Sequence, residues 1–186
     1  MGPDYYVPSA PQRQGINKKI IFIAAGVLVA IFIGVGLLMS SSGSGPAEES
    51  ARAVARQEQL IAISADGEKN IRSGDLRKIN ADANLFFKTD SVALTNLMKK
   101  LGPQEVPQAL KDSEKAKTNI KNLTDAVAAG RYDETFAGML KGKLEEQQAL
   151  LRAIHDGTNS QSAKTTLQSI YAKNETLLKQ LQDLES

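Results

Sequence analysis

The sequence contains no cysteine, no tryptophan and a single histidine, His155, and aromatic residues make up only 5% of it. Without cysteine, the chain has no disulfide bond, no thiolate metal site and no cysteine nucleophile. With so few aromatic side chains, a hydrophobic core must consist mainly of leucine, isoleucine, valine, alanine and methionine. The missing residue types therefore exclude several common kinds of catalytic and metal site.

The charge is distributed unevenly along the chain. Residues 1–19 contain Arg13, Lys18 and Lys19 against Asp4, which accounts for the whole net charge of +2. The remaining residues carry 20 basic and 20 acidic side chains and are neutral in sum. Because a nucleic-acid-binding domain is expected to have an excess of basic residues, the sequence predicts no nucleic-acid partner.

One long apolar run stands out in this polar sequence. Residues 20–39 read IIFIAAGVLVAIFIGVGLLM and include no charged residue. At about 1.5 Å of rise per residue, a helix of this length spans roughly 30 Å, the thickness of the hydrocarbon core of a bilayer. Cleavage as a signal peptide is the alternative, since Lys18 and Lys19 precede the run and small residues follow it at 40–42. The run is longer than a typical signal-peptide core, which favours an uncleaved transmembrane helix.

The residues flanking the run predict its orientation. Basic residues precede it, whereas residues 40–46 form a Ser/Gly-rich linker without lysine or arginine. The positive-inside rule then places residues 1–19 in the cytoplasm and residues 47–186 outside the plasma membrane. The proline-rich segment 1–19 has few aliphatic residues and is predicted to be a disordered tail. The sequence thus predicts a tail, an anchor in the lipid bilayer, a linker and an extracytoplasmic domain.

Small residues recur every four positions in the predicted membrane helix, at Gly26, Ala30 and Gly34. Such a stripe allows two membrane helices to approach closely and is typical of a homodimer interface. The alternative is that glycine and alanine are simply common in membrane helices.

The domain that follows shows helical periodicity almost throughout. Apolar residues recur at steps of three and four, and no stretch alternates with the period of a strand. The pattern predicts helices over residues 47–72, 75–101, 107–129, 132–156 and 161–184. These five helices, joined by short turns, predict an all-α antiparallel bundle.

Few residues of the bundle suggest chemistry, and the sequence predicts no catalytic, cofactor-binding or metal-binding residue. His155 precedes the Asp156-Gly157 turn, so it is expected at the end of a helix. Asp90 is the one acid in the apolar seam of the second predicted helix. It is expected to pair with Lys143 or Gln147 of another helix and to set helix register, or else to reach water at the edge of the seam.

Two segments carry a resemblance to a known family. GDLRKINADANLFFKTDSVALTNLMKKLG at 74–102 and YDETFAGMLKGKLEEQQALL at 132–151 resemble a bacterial family of exported ferritin-like bundles of unknown function. Members of that family typically carry an Asp-His pair in one long helix and, in a later helix, a Met followed four residues on by His. Here Asp90 is followed by Ser91, and Met139 is followed by Lys143. No Glu-x-x-His motif is present, so the resemblance implies the fold without its metal chemistry.

Three functions follow as hypotheses. The first is a non-enzymatic interaction or scaffold module of the cell envelope that binds another envelope protein. The second is a ligand-sensing or signalling subunit that acts through a transmembrane dimer. The third is a ferritin-like metal-handling protein, which the resemblance alone suggests.

Overall fold

The computed structural model describes residues 45–184, which are helical with no strand among them. The predicted tail, the membrane helix with Gly26, Ala30 and Gly34, and residues 40–44 of the linker lie outside the described residues. Within 45–184, no helix combines the length and the hydropathy needed to cross a membrane. The six helices are α1 Pro46–Asn70, α2 Gly74–Leu101, α3 Gln108–Thr118, α4 Lys121–Ala128, α5 Tyr132–Gly157 and α6 Gln161–Asp183.

The four long helices form a bundle made of two hairpins. A three-residue connection at 71–73 turns α1 back along α2, and residues 158–160 turn α5 back along α6. Helix α1 also packs against α5, and α2 against α6. Hydrogen bonds from Gln147 to Gln57 and from Tyr132 to Asp66 show that α1 and α5 run in opposite directions. Since α2 and α5 both oppose α1, they run parallel, and residues 102–131 must return along the length of the bundle.

Helix α1 is the most enclosed element of the bundle. It contacts α2, α5 and the crossover helix α3. From Glu49 to Leu60 only Arg52 and Glu58 are more than slightly exposed. Alanine residues at 51, 53 and 55 are almost completely buried, and their short side chains let the neighbouring helices approach closely. This explains how a helix with few large apolar residues occupies a central position.

The crossover differs from its prediction as a single helix over 107–129, and that prediction was wrong. The structure contains two short helices, α3 and α4, separated at Asn119. Asn119 has φ 44° and ψ 59°, the left-handed conformation that ends helices and that asparagine tolerates. Its side-chain amide donates to Asn122 Oδ1 at 3.0 Å. The break redirects the chain while both short helices stay on the bundle.

The helix ends follow the sequence signals at most positions. Ser73 caps α2 by accepting a hydrogen bond from the Leu76 N–H, and Gly102, with φ 138°, ends that helix at Leu101 as predicted. Helix α1 ends at Asn70, two residues earlier than predicted. The cause is tertiary, because Asp133 of α5 accepts hydrogen bonds from the N–H groups of residues 72 and 73.

Gly67 does not end α1, although Asp66-Gly67 resembles a stop signal. A Cβ atom at this position would lie 2.5 Å from the ring of Phe136, which is fully buried. Phe136 packs in the main core beside Tyr132, with the two ring centroids 5.9 Å apart. The glycine is therefore required for the close approach of α1 and α5.

Candidate functional site

Buried amides link three helices near the middle of the bundle. Gln147 of α5 donates to the backbone oxygen of Ala53 and to Gln57 Oε1, both at 3.2 Å. Gln57 of α1 in turn donates to the backbone oxygen of Phe87 on α2 at 3.0 Å. Both glutamine side chains are almost completely shielded from water. The chain of hydrogen bonds fixes the relative heights of α1, α2 and α5 because each amide must keep its partner.

Asp90 lies one helical turn beyond Phe87 and joins α2 to the fourth helix. Its carboxylate accepts a hydrogen bond from Lys173 of α6, and Asp90 is only 2% exposed. Burial raises the pKa of the Asp90 carboxyl, and the hydrogen bond and charge of Lys173 oppose that increase without cancelling it. The expected partners, Lys143 and Gln147, belong to other contacts, so that pairing was wrong. The expectation that Asp90 pairs with a lysine across the bundle was right in kind.

The alternative, that these side chains reach water at the edge of the seam, was also wrong. Asp90, Lys143 and Gln147 are all buried. Three polar atoms near this level have no hydrogen-bond partner among residues 45–184, namely Asp90 Oδ2, Gln147 Oε1 and Asn174 Nδ2. Asn174 directly follows Lys173 on α6 and is buried. We call four of the buried polar side chains, one from each long helix, the polar layer: Gln57, Asp90, Gln147 and Asn174.

This polar layer is a poor metal site. Its members are three neutral amides and one carboxylate whose charge is already balanced by Lys173. Among residues 45–184, no group of three or more His, Cys, Asp or Glu side chains is positioned to hold a metal ion. The layer can set helix register, and the donor set of a di-iron centre is not present in it.

A second polar cluster attaches the crossover to the bundle. Arg56 of α1 contacts Glu114 of α3 at 2.8 Å and Glu146 of α5 at 3.5 Å. Glu114 is fully buried, and its carboxylate also lies 3.4 Å from the ammonium group of Lys117. Lys143, the position that follows Met139 by four residues, contacts Glu146 at 3.0 Å. These charges are paired with one another and hold α3 in place over α1 and α5.

His155 lies in the last turn of α5, as predicted. Its Nδ1 is 3.1 Å from Asp156 Oδ1, and its Nε2 is 3.4 Å from the side-chain amide nitrogen of Gln168 on α6. These neighbours position the ring at the α5–α6 turn, away from the polar layer. Met139 packs at the side of the main core.

The outward side of α2 presents an unusual surface. Leu85 and Val92 are 64% and 63% exposed, whereas most large apolar side chains of the described residues are buried. Seven residues separate them, so they lie within about 20° of each other around the helix and about 10 Å apart along it. Lys88 and Thr89 lie between them, and Lys78 and Lys99 extend the same side towards both ends. We call this surface the α2 outer face, and its members are Lys78, Ala81, Asp82, Leu85, Lys88, Thr89, Val92, Asn96, Lys99 and Lys100, all exposed.

The sequence analysis missed the α2 outer face. The apolar seam predicted for α2 runs through Leu76, Ile79 and Ala83, which are buried. Leu85 and Val92 fall on the opposite side of the same helical wheel, and this displacement from the seam is the signal that identifies them.

Comparisons with known proteins provide no relative, since no family model, no curated protein and no solved structure matches the chain.

Proposed function

We propose that this chain is a single-pass membrane protein whose residues 47–186 form a non-enzymatic protein-interaction module of the cell envelope. The observation that carries the proposal is the exposure of Leu85 and Val92 on one side of α2. Both side chains lie on the side of α2 that faces away from the core, one heptad apart. Exposed apolar rows with polar borders are typical of protein-binding surfaces.

The proposed location follows from the chain outside the described residues. The apolar run 20–39 is long enough to cross a bilayer, and the lysines before it favour a cytoplasmic N-terminus. The module would then be displayed outside the plasma membrane on the linker 40–46. The proposed homodimer through Gly26, Ala30 and Gly34 belongs to the same segment.

The connectivity of the bundle supports the finer proposal that its fold is ferritin-like. Two antiparallel hairpins joined by one long crossover is the arrangement of ferritin-like folds, as distinct from up-down-up-down bundles. The di-iron members of that class place ligands from all four helices inside the bundle. Here the equivalent interior carries Gln57, Gln147, Asn174 and the paired Asp90, a set that does not fit such a centre. The fold therefore supports a scaffold better than a metal-handling protein.

The experiment that tests the function is chemical crosslinking of the full-length chain in cells, followed by affinity purification and mass spectrometry. We expect a reproducible envelope protein that disappears when residues 47–186 are deleted. Only self-crosslinks would replace the proposal with a homo-oligomer, for which Gly26, Ala30 and Gly34 are the first positions to change. Absence of any specific crosslink would overturn the interaction module.

A further inference from the structure

The α2 outer face has a charge as well as an apolar row. Lys88 lies beside the row, and Lys99 and Lys100 follow it near the end of the helix. None of these three lysines has an ion-pair partner within residues 45–184. Asp82 is the one acid of this face of α2, while Lys78 is paired with Asp75 at 2.9 Å. The face is thus basic on a domain that is neutral in sum.

The spacing of the apolar residues favours a helical partner. Leu85 and Val92 are separated by one heptad, the repeat at which an aliphatic row on a second helix meets such a row on the first. Thr89 and Ala81 have small side chains on the same side of α2, which permit close approach of a second helix. A row about 10 Å long fits two turns of helix.

We infer that the α2 outer face binds an acidic amphipathic helix of a partner protein. This inference rests on the proposed function and adds to it the surface and the chemistry of the partner. Aliphatic residues of the partner cover Leu85 and Val92, and its aspartate or glutamate side chains lie against Lys88 and Lys99. Opposite charges beside an apolar row select the partner and its register more than they add affinity.

An anionic lipid surface is the competing occupant and fits less well. Helices that lie in the bilayer interface bury a wide apolar side that usually includes aromatic residues. The α2 outer face has two aliphatic residues and no aromatic one, and its row is bordered by Asp82 and Asn96 as well as by lysines. Its apolar part is too narrow for insertion among acyl chains.

Site-specific photo-crosslinking of the full-length chain in its membrane tests the inference. A photoreactive amino acid replaces Thr89, at the centre of the α2 outer face, and in a matched control it replaces Thr124, an exposed threonine of α4. We expect Thr89 alone to capture a protein, and sequencing of the captured peptide to show acids beside aliphatic residues at seven-residue spacing.

Charge reversal then tests the role of the lysines. K88E/K99E is expected to reduce the yield at position 89 by about tenfold, as is L85Q/V92Q, since either the charges or the apolar row would be lost. K115E/K179E, which reverses two exposed lysines on other helices, is the control and should keep the yield within about twofold. Melting curves of each variant establish that the bundle is intact.

Five results would overturn the inference: a phospholipid at position 89, a second copy of the chain at position 89, a basic captured peptide, capture at Thr124 alone, or a yield that K88E/K99E leaves unchanged. If the chemical crosslinks of the full-length chain persist in K88E/K99E but vanish on deletion of 47–186, the module stands and the face is wrong. If no partner is found by either method, the proposed function itself fails.

Discussion

Lys173 of α6 donates a hydrogen bond to the buried carboxylate of Asp90 on α2, so that one ion pair joins helices 83 residues apart in the chain. Asp90 is almost inaccessible to water, whereas the Lys173 side chain is 29% exposed. The ammonium group also lies 5.7 Å from the centroid of the Phe86 ring. The lysine therefore bridges solvent and core, and the stability of the α2–α6 contact depends on it.

The first prediction concerns this pair. Lys173→Met should lower the free energy of unfolding by about 2 kcal/mol at pH 7, because it leaves the buried carboxylate of Asp90 unpaired. The loss is smaller than for a fully buried ion pair, since Lys173 is partly exposed. The double variant Asp90→Asn/Lys173→Met should recover most of the loss. Urea denaturation of the three proteins measures both values, and a loss that persists in the double variant would contradict the pairing.

The same pair predicts a dependence on pH. Burial raises the folded pKa of Asp90 above the unfolded value of 3.8. The folded state then binds the proton more tightly, so the contribution of Asp90 to stability is fully present below pH 3.8 and is lost as pH rises through the folded pKa. Removing Lys173 should raise that pKa further and increase the loss. The free energy of unfolding of Lys173→Met, taken relative to that of Asp90→Asn/Lys173→Met, should therefore fall as the pH rises from 4 to 7. A difference that stays constant over this range would contradict the raised pKa of Asp90.

The attachment of the crossover provides another prediction. Arg56→Leu leaves the carboxylate of Glu114 fully buried with only the half-exposed Lys117 nearby, and should cost about 3–5 kcal/mol. Hydrogen exchange of the α3 amides should accelerate more than that of α6. Arg56→Leu/Glu114→Leu should be much more stable than the single variant. Lys121→Met, which removes an exposed ion pair with Asp125, is the control and should change stability by less than about 1 kcal/mol.

The glutamines of the polar layer predict that single and double substitutions differ in their effect on stability. Gln147→Leu removes the donor to Gln57 Oε1 and to Ala53, and should cost about 1–3 kcal/mol because buried acceptors lose their partner. Gln57→Leu/Gln147→Leu removes both side-chain members and should be closer to the wild-type protein. A double variant as unstable as the sum of its singles would indicate that the amides contribute independently.

A glycine pair tests the close approach of α1 and α5. Gly67→Ala places a methyl group against the buried Phe136 ring and should destabilise the bundle by about 1–3 kcal/mol despite the higher helix propensity of alanine. Gly138→Ala is the matched control, since no atom lies within 4 Å of its Cβ position. It should stabilise the protein by about 0.5–1 kcal/mol. Thermal unfolding of both variants gives the comparison, and equal effects would contradict it.

Local signals in the sequence predicted the all-helical class and most helix ends. The capping residue Ser73 and the stop at Gly102 act through their own backbone and their immediate neighbours, and they are readable without knowledge of the fold. The same holds for His155 at the end of α5. The prediction of a membrane helix at 20–39 rests on length and hydropathy alone, and it stays a prediction.

The partner of Asp90 could not be derived in this way. Helical periodicity placed Asp90 in a seam and Lys143 in another, but it does not state which helices are neighbours. Residues 102–131 carry the chain back along the bundle, which puts α6 beside α2 and brings Lys173 to the carboxylate. Lys143 belongs to α5, the diagonal neighbour of α2, and it pairs with Glu146 instead.

The sequence by itself determined where helices form, because the 3.6-residue period, the caps and the glycine stops are properties of neighbouring residues. Only the tertiary structure decided that α1 is enclosed, that Asn119 divides the crossover, and that Lys173 is the partner of Asp90. Each of these depends on which helix surfaces meet after the crossover has returned the chain. Contacts between residues far apart in the sequence produce no periodic pattern from which they could be predicted.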